Sequence, residues 1–170
     1  QEYEALAAEL RAILDAHAKE CADPANCPEV ANTLGYLAHC LGATKKDLLL
    51  LQASLRSELS GDYKNFPLMK AISALAEAMK VGHALELLET QGITALYKYN
   101  ERLKEDAKAA KTKAVKRLFA DNSFLAALEK TRQLYESKVE HPKLGELKRI
   151  IKENIADVAG AKAIVFNQYR

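Results

Sequence analysis

Eight basic side chains crowd into residues 98–117: Lys98, Arg102, Lys104, Lys108, Lys111, Lys113, Lys116 and Arg117, against three acids, Glu101, Glu105 and Asp106. Cations at this density suit one chemistry above others, the neutralisation of phosphates with release of their counterions. Lys98, Arg102 and Lys108 project from the side of a predicted helix opposite Leu96 and Leu103. Lys113, Lys116 and Arg117 share a face of the short helix that follows. No aromatic side chain interleaves with them, which favours contact with the backbone of a duplex or junction over base stacking. Tyr97 and Asn100, beside Leu96 and Leu103, are expected to pack instead of stacking on DNA. Lys113, Lys116 and Arg117 rank first as phosphate contacts, followed by Lys98, Arg102, Lys108 and Lys111. The competing reading is a solvated face neutralised by ion pairs along the helix.

A second group, His17, Cys21, Cys27, His39 and Cys40, has metal-ligating side chains. His17 and Cys21 share one helical face, but five residues separate Cys21 from Cys27, the wrong spacing for the common structural zinc sites. We therefore expect no metal here, with Cys21 and Cys40 acting as small buried apolar groups. The three cysteines follow no disulfide framework, which places the chain in a reducing compartment. Catalytic motifs are absent. The seven glycines are isolated, so none forms a phosphate cradle, and there is no H-E-x-x-H, G-x-S-x-G or C-x-x-C. Asp15-Ala16-His17 resembles an acidic ATPase box only superficially, lacking its glutamate and lying on a helix. No catalysis is expected of this segment alone, and no cofactor.

The elements that position these groups are almost entirely helical. The chain has 170 residues, 49% hydrophobic and 28% charged, enough for one compact core. Residues 1–97 carry 13 acids and 8 bases, whereas residues 98–170 carry 10 and 17, so the second half is where a polyanion would sit. No apolar run approaches a bilayer span and there is no signal peptide, so no membrane partner is expected.

Apolar spacing predicts helices over Tyr3–Glu20, Glu29–Leu41, Thr44–Leu59, Pro67–Thr90, Ile93–Ala110, Lys113–Phe119 and Asp121–Ser137, and a last one opening at Pro142. The fourth, apolar on two sides, should be central. His83 falls on its Leu75–Met79 stripe, as a core histidine with a satisfied ring. The last helix should bury Leu144, Leu147, Ile151 and Ile155, with His141 at its start. Ala163–Arg170 then reads as a single terminal β-strand. A lone strand lacks partners for its backbone groups, and the chain opens on Gln1 instead of Met, so it reads as a piece of something larger. The fold class is an all-α multi-helix bundle with that one strand.

The segment from His83 through Gly92 with Ala95-Leu96, then Thr112 through Asp121, then His141-Pro142-Lys143-Leu144 with Leu147-Lys148 and Ile150-Ile151, resembles the helical insert of archaeal Hef helicases and their eukaryotic FANCM relatives. The closing Ala163-Ile164-Val165-Phe166-Asn167-Gln168-Tyr169-Arg170 resembles helicase motif IV, the first strand of the second RecA-like domain. The resemblance covers residues 80–170 best. It implies an ATP-dependent superfamily 2 DNA helicase or translocase working on forked and branched DNA in repair, in the nucleoid-associated cytoplasm or a eukaryotic nucleus. It further implies residues 1–138 as the thumb-like insert and residues 139–170 as the start of the second motor domain. ATP and Mg would then belong to the parent protein, branched DNA and the flanking motor domains would be the partners, and Asn167 and Arg170 would meet phosphate. Two departures stand out: Asn167 replaces the usual threonine, and the Cys21–Pro28 loop has no counterpart. The alternatives are a protein-interaction module docking through its acidic front half, and the related insert of a helicase that senses double-stranded RNA.

Overall fold

A computed structural model describes residues 1–22, 45–60, 65–109, 112–155, 162 and 164–166. The described helices are α1 (Glu2–Ala22), α2 (Lys45–Leu59), α3 (Phe66–Thr90), α4 (Ile93–Lys108), α5 (Lys113–Leu118), α6 (Asn122–Glu136) and α7 (Pro142–Ile155). The predicted helix over Glu29–Leu41 and most of the Cys21–Pro28 loop lie outside the described residues.

Side-chain caps set several of these boundaries. Asn65 accepts from the Leu68 N–H at 3.0 Å to open α3, with Pro67 in the first turn, where no helical N–H is needed. Thr112 accepts from the Val115 N–H at 3.3 Å, and Asp121 from the Ser123 N–H at 2.8 Å, to start α5 and α6.

As its two-sided pattern predicts, α3 is the axis of the molecule. Its second half sends Val81, Ala84, Leu85 and Leu88 into a core shared with Leu6, Leu10 and Ile13 of α1, Leu96 and Leu103 of α4, Val115 and Leu118 of α5, and Phe124 of α6. Its first half packs Leu68, Ala71, Ala74 and Leu75 against Leu48, Leu51 and Leu55 of α2. Each leucine closed off in this way contributes roughly 1.5–3 kcal/mol.

α7 departs from expectation. It is attached by its first turn, and no helix packs broadly along it among the described residues. Part of its apolar face is consequently open: Leu144 is 45% and Ile150 44% exposed, while Leu147 and Ile151 are half-buried. Periodicity identifies an apolar face but cannot supply the surface that covers it. The attachment runs through His141. The Lys143 N–H donates to His141 Nδ1 at 3.1 Å, which leaves the proton on Nε2, 3.2 Å from the Glu89 carbonyl at the end of α3. Lys143 Nζ donates to the same carbonyl at 3.2 Å, and the ring of Tyr3 lies 5.2 Å from that of His141. Gly92 makes room for this latch. Its φ is 92°, and a Cβ there would meet His141 Cδ2 at 3.1 Å.

The terminal strand is not seen among the described residues. Ile164, Val165 and Phe166 are irregular and open, 81%, 53% and 92% exposed. A strand needs a neighbour for its backbone groups, and none is present there. His83 also differs from its expected core position. Its side chain is 39% exposed, 3.2 Å from Glu86 Oε2, and meets the edge of Tyr99 with centroids 5.0 Å apart.

Candidate nucleic-acid interface

Two helices present the basic cluster. α5 buries Ala114, Val115 and Leu118, and this inward set turns Lys113 and Lys116 to solvent one turn apart. α4 buries Ile93, Leu96, Asn100 and Leu103, which leaves Lys98 and Arg102 exposed at i, i+4 on its outer side. Among the described residues no carboxylate pairs with any of these four. Cations on rigid helices without intramolecular partners keep their full attraction for an external anion.

Lys104, Lys108 and Arg117 are engaged. Lys104 Nζ is 2.6 Å from Glu101 and Lys108 Nζ 2.7 Å from Glu105, on the same helix in each case. Lys108 is fully exposed, and the adjacent Glu105 carboxylate raises its pKa. Lys111, Asn167 and Arg170 lie outside the described residues.

Arg117 is turned inward. Its Nε is 3.1 Å from Glu77 Oε1 and its Nη2 2.7 Å from Glu20 Oε1. Glu77 is fully buried and also accepts from Ser73 Oγ at 3.1 Å. His17, itself 8% exposed, places Nδ1 3.1 Å from Glu77 Oε2 and Nε2 3.5 Å from Asp121 Oδ2. The adjoining Glu77 carboxylate raises the His17 pKa, aided by the charges of Asp121 and Glu20, while burial works against it. The network ties α1, α3, α5 and the cap of α6 together. Donor atoms of His17, Glu20 and Glu77 lie within 4.8 Å of one another, close enough for a cation. Arg117 already supplies that positive charge, so the set reads as an ion-pair centre in place of a metal site.

Sequence spacing sets His17 beside Cys21, Cys27, His39 and Cys40 and within Asp15-Ala16-His17, and not beside Glu77. The signal for this centre was Glu77, a carboxylate in register with Val81, Ala84 and Leu88 on a face that must be buried. Asn100 is buried, as expected. Tyr97 stacks face to face on Tyr135 of α6, with centroids 4.0 Å apart and planes 3° from parallel.

With the geometry described, comparison with known proteins gives a consistent picture. The family described as "Putative ATP-dependent RNA helicase, helical bundle" matches residues 7–141. The chain belongs to this family. The chain is 30% identical over 142 residues to a Methanocaldococcus jannaschii protein named "Putative ATP-dependent RNA helicase", covering 84% of this chain. It spans only 17% of that relative. It also matches the crystal structure of the Pyrococcus furiosus Hef helicase domain, with TM-score 0.75 and 31% identity over 91% of this chain and 30% of that one. The resemblance to the Hef-type helical insert is thus supported by both fold and family, and the family match reaches back to residue 7. Among the described residues no helix is long and apolar enough to cross a membrane.

Proposed function

We propose that this helicase bundle grips branched DNA for an ATP-dependent DNA helicase or translocase that acts at forks during repair. The observation that carries the reading is the pair of open cation sets, Lys98 with Arg102 and Lys113 with Lys116, on a domain of Hef-like fold. Side chains of this kind contact phosphate and fix the register of a duplex without reading its sequence. In this reading residues 1–138 are the insert and residues 139–170 open the second RecA-like domain. The uncovered α7 face and the open Ile164-Val165-Phe166 segment support that division, because both are apolar surfaces suited to a flanking motor domain. Asn167 and Arg170 would contact phosphate there. ATP and Mg would be bound by the motor domains and not by the bundle, and the parent would work on nucleoid or nuclear DNA.

A second reading, a module that docks the motor domains or another protein without touching nucleic acid, rests on the same exposed α7 face. Forked DNA, paired duplex DNA and duplex RNA titrated across a salt series separate these possibilities. Fork binding should weaken as salt rises, with a log–log slope of about −0.9 per phosphate neutralised. Reversing Lys98, Arg102, Lys113 and Lys116 together should abolish most of it while helical content stays unchanged. Absent or salt-independent binding would leave the docking module as the better reading, and preference for duplex RNA would reassign the substrate.

A further inference from the structure

Tyr135, stacked on Tyr97, stands at the edge of a surface trough. A groove of about 490 Å³ is lined by Gln91, Thr94, Tyr135, Lys138, His141 and Leu144. A second, of about 630 Å³, shares Gln91, Thr94, His141 and Leu144 and continues to Lys98 and Lys143. Tyr97 holds the Tyr135 ring flat, yet Tyr135 remains 36% exposed. An aromatic ring fixed by one neighbour and open to a groove offers a prepaid surface for another flat ring.

The charge of the trough suits a phosphate-linked ligand. Lys98, Lys138 and Lys143 bring three positive charges. The acids of the rim are paired, Glu136 with Arg132 at 2.5 Å, a guanidinium it shares with Glu129, and Glu140 with Lys148 at 2.7 Å. The Gln91 amide and Thr94 hydroxyl add donors and acceptors for a base edge. Lys138 also holds a φ of 53°, at a helix end where glycine is the usual residue. A lysine is thus kept at a strained position on the rim.

We infer that the trough binds the unpaired strand of a branched nucleic acid, with one base stacked on Tyr135 and the adjoining phosphates held by Lys98, Lys138 and Lys143. This rests on the reading that the bundle engages branched DNA, and adds a single-strand contact to the duplex contact proposed above.

The test uses the whole 170-residue chain, a fork whose unpaired arm contains 2-aminopurine, a matching single strand, and a fully paired duplex. Wild-type binding should quench 2-aminopurine in the arm. Tyr135→Ala should weaken single-strand binding by roughly 5- to 150-fold, with Tyr135→Phe close to wild type and duplex binding unchanged. Lys138→Gly relieves the backbone, so it should raise Tm by roughly 2–4 °C while reducing the single-strand salt slope by about 0.7. Fork binding without quenching, or single-strand binding indifferent to Tyr135→Ala, overturns the trough and leaves the duplex reading intact. An equal loss of single-strand and duplex binding in Tyr135→Ala also overturns it, as a general structural effect. No binding to any of the three overturns both.

Discussion

Lys116 and Arg117 are consecutive in the sequence, carry the same charge and sit on the same short helix, yet they belong to different parts of the molecule. Lys116 is open to solvent with no carboxylate beside it among the described residues. Arg117 reaches into the bundle, where it is held by Glu77 and Glu20. The difference lies in the opposing surface. A cation facing water keeps its capacity for an external phosphate, whereas one facing a fully buried carboxylate is committed to the fold. A run of basic residues is therefore a count of charges, and only the carboxylates opposite show how many remain available.

Removing each cation in turn should separate the two roles, with the largest effect on Arg117. Arg117→Ala leaves Glu77 buried with only His17 and Ser73 as partners. Stranding a buried charge costs about 3–5 kcal/mol. The remaining partners should bring the loss toward the lower end, visible in a urea titration. Lys113→Ala and Lys116→Ala should shift stability by no more than about 0.5 kcal/mol while reducing the salt dependence of fork binding. Equal stability losses at all three positions would erase the distinction between the open and the committed cations.

Next in size is the latch that joins α7 to the rest. Gly92→Ala combines a positive φ with a 3.1 Å approach to the His141 ring. The backbone conformation alone costs an alanine roughly 1–2 kcal/mol, and the ring must also give way. The expected outcome is a Tm lowered by several degrees, with faster amide exchange at the start of α7 than in α3. Unchanged exchange at α7 would mean that the first turn is held by something other than His141 and Lys143.

The sequence was most informative where a local rule sufficed. Asp121 as a cap, Pro142 in a first turn, Gly92 between α3 and α4 and the two-sided α3 each follow from one residue or one period. It was least informative where the answer depends on what lies opposite. α7 has a clear apolar face but no cover among the described residues, and the same periodicity describes either outcome. Lys113, Lys116 and Arg117 are predicted to share a helix face, yet Arg117 turns inward to Glu77 and Glu20. Tyr97 was correctly expected to pack, yet its partner Tyr135 is remote in sequence, so the stacked pair and its trough could not be read. Glu77 is different, because its register with Val81, Ala84 and Leu88 was visible and required a buried counter-charge.

The smallest expected effect concerns the protonation of the buried centre. His17 faces Glu20 on its own helix, Glu77 on α3 and Asp121 at the cap of α6, and Arg117 of α5 pairs with Glu20 and Glu77. Its pKa is raised above 6.5, first by the adjoining Glu77 carboxylate. The folded protein therefore binds the proton more tightly than the unfolded chain. The resulting stability is complete below about pH 6.5 and is lost as pH rises through the folded value. The slope within that window is at most about 1.4 kcal/mol per pH unit. Tm measured from pH 6 upward should accordingly fall in the wild type, and His17→Gln should flatten the decline while lowering Tm at pH 6. Lys116→Ala should leave the profile's shape unchanged, because Lys116 is not among the groups facing His17. A wild-type profile that rises over this interval would mean that the buried centre is stabilised by neutral His17, and that Arg117 alone neutralises Glu77.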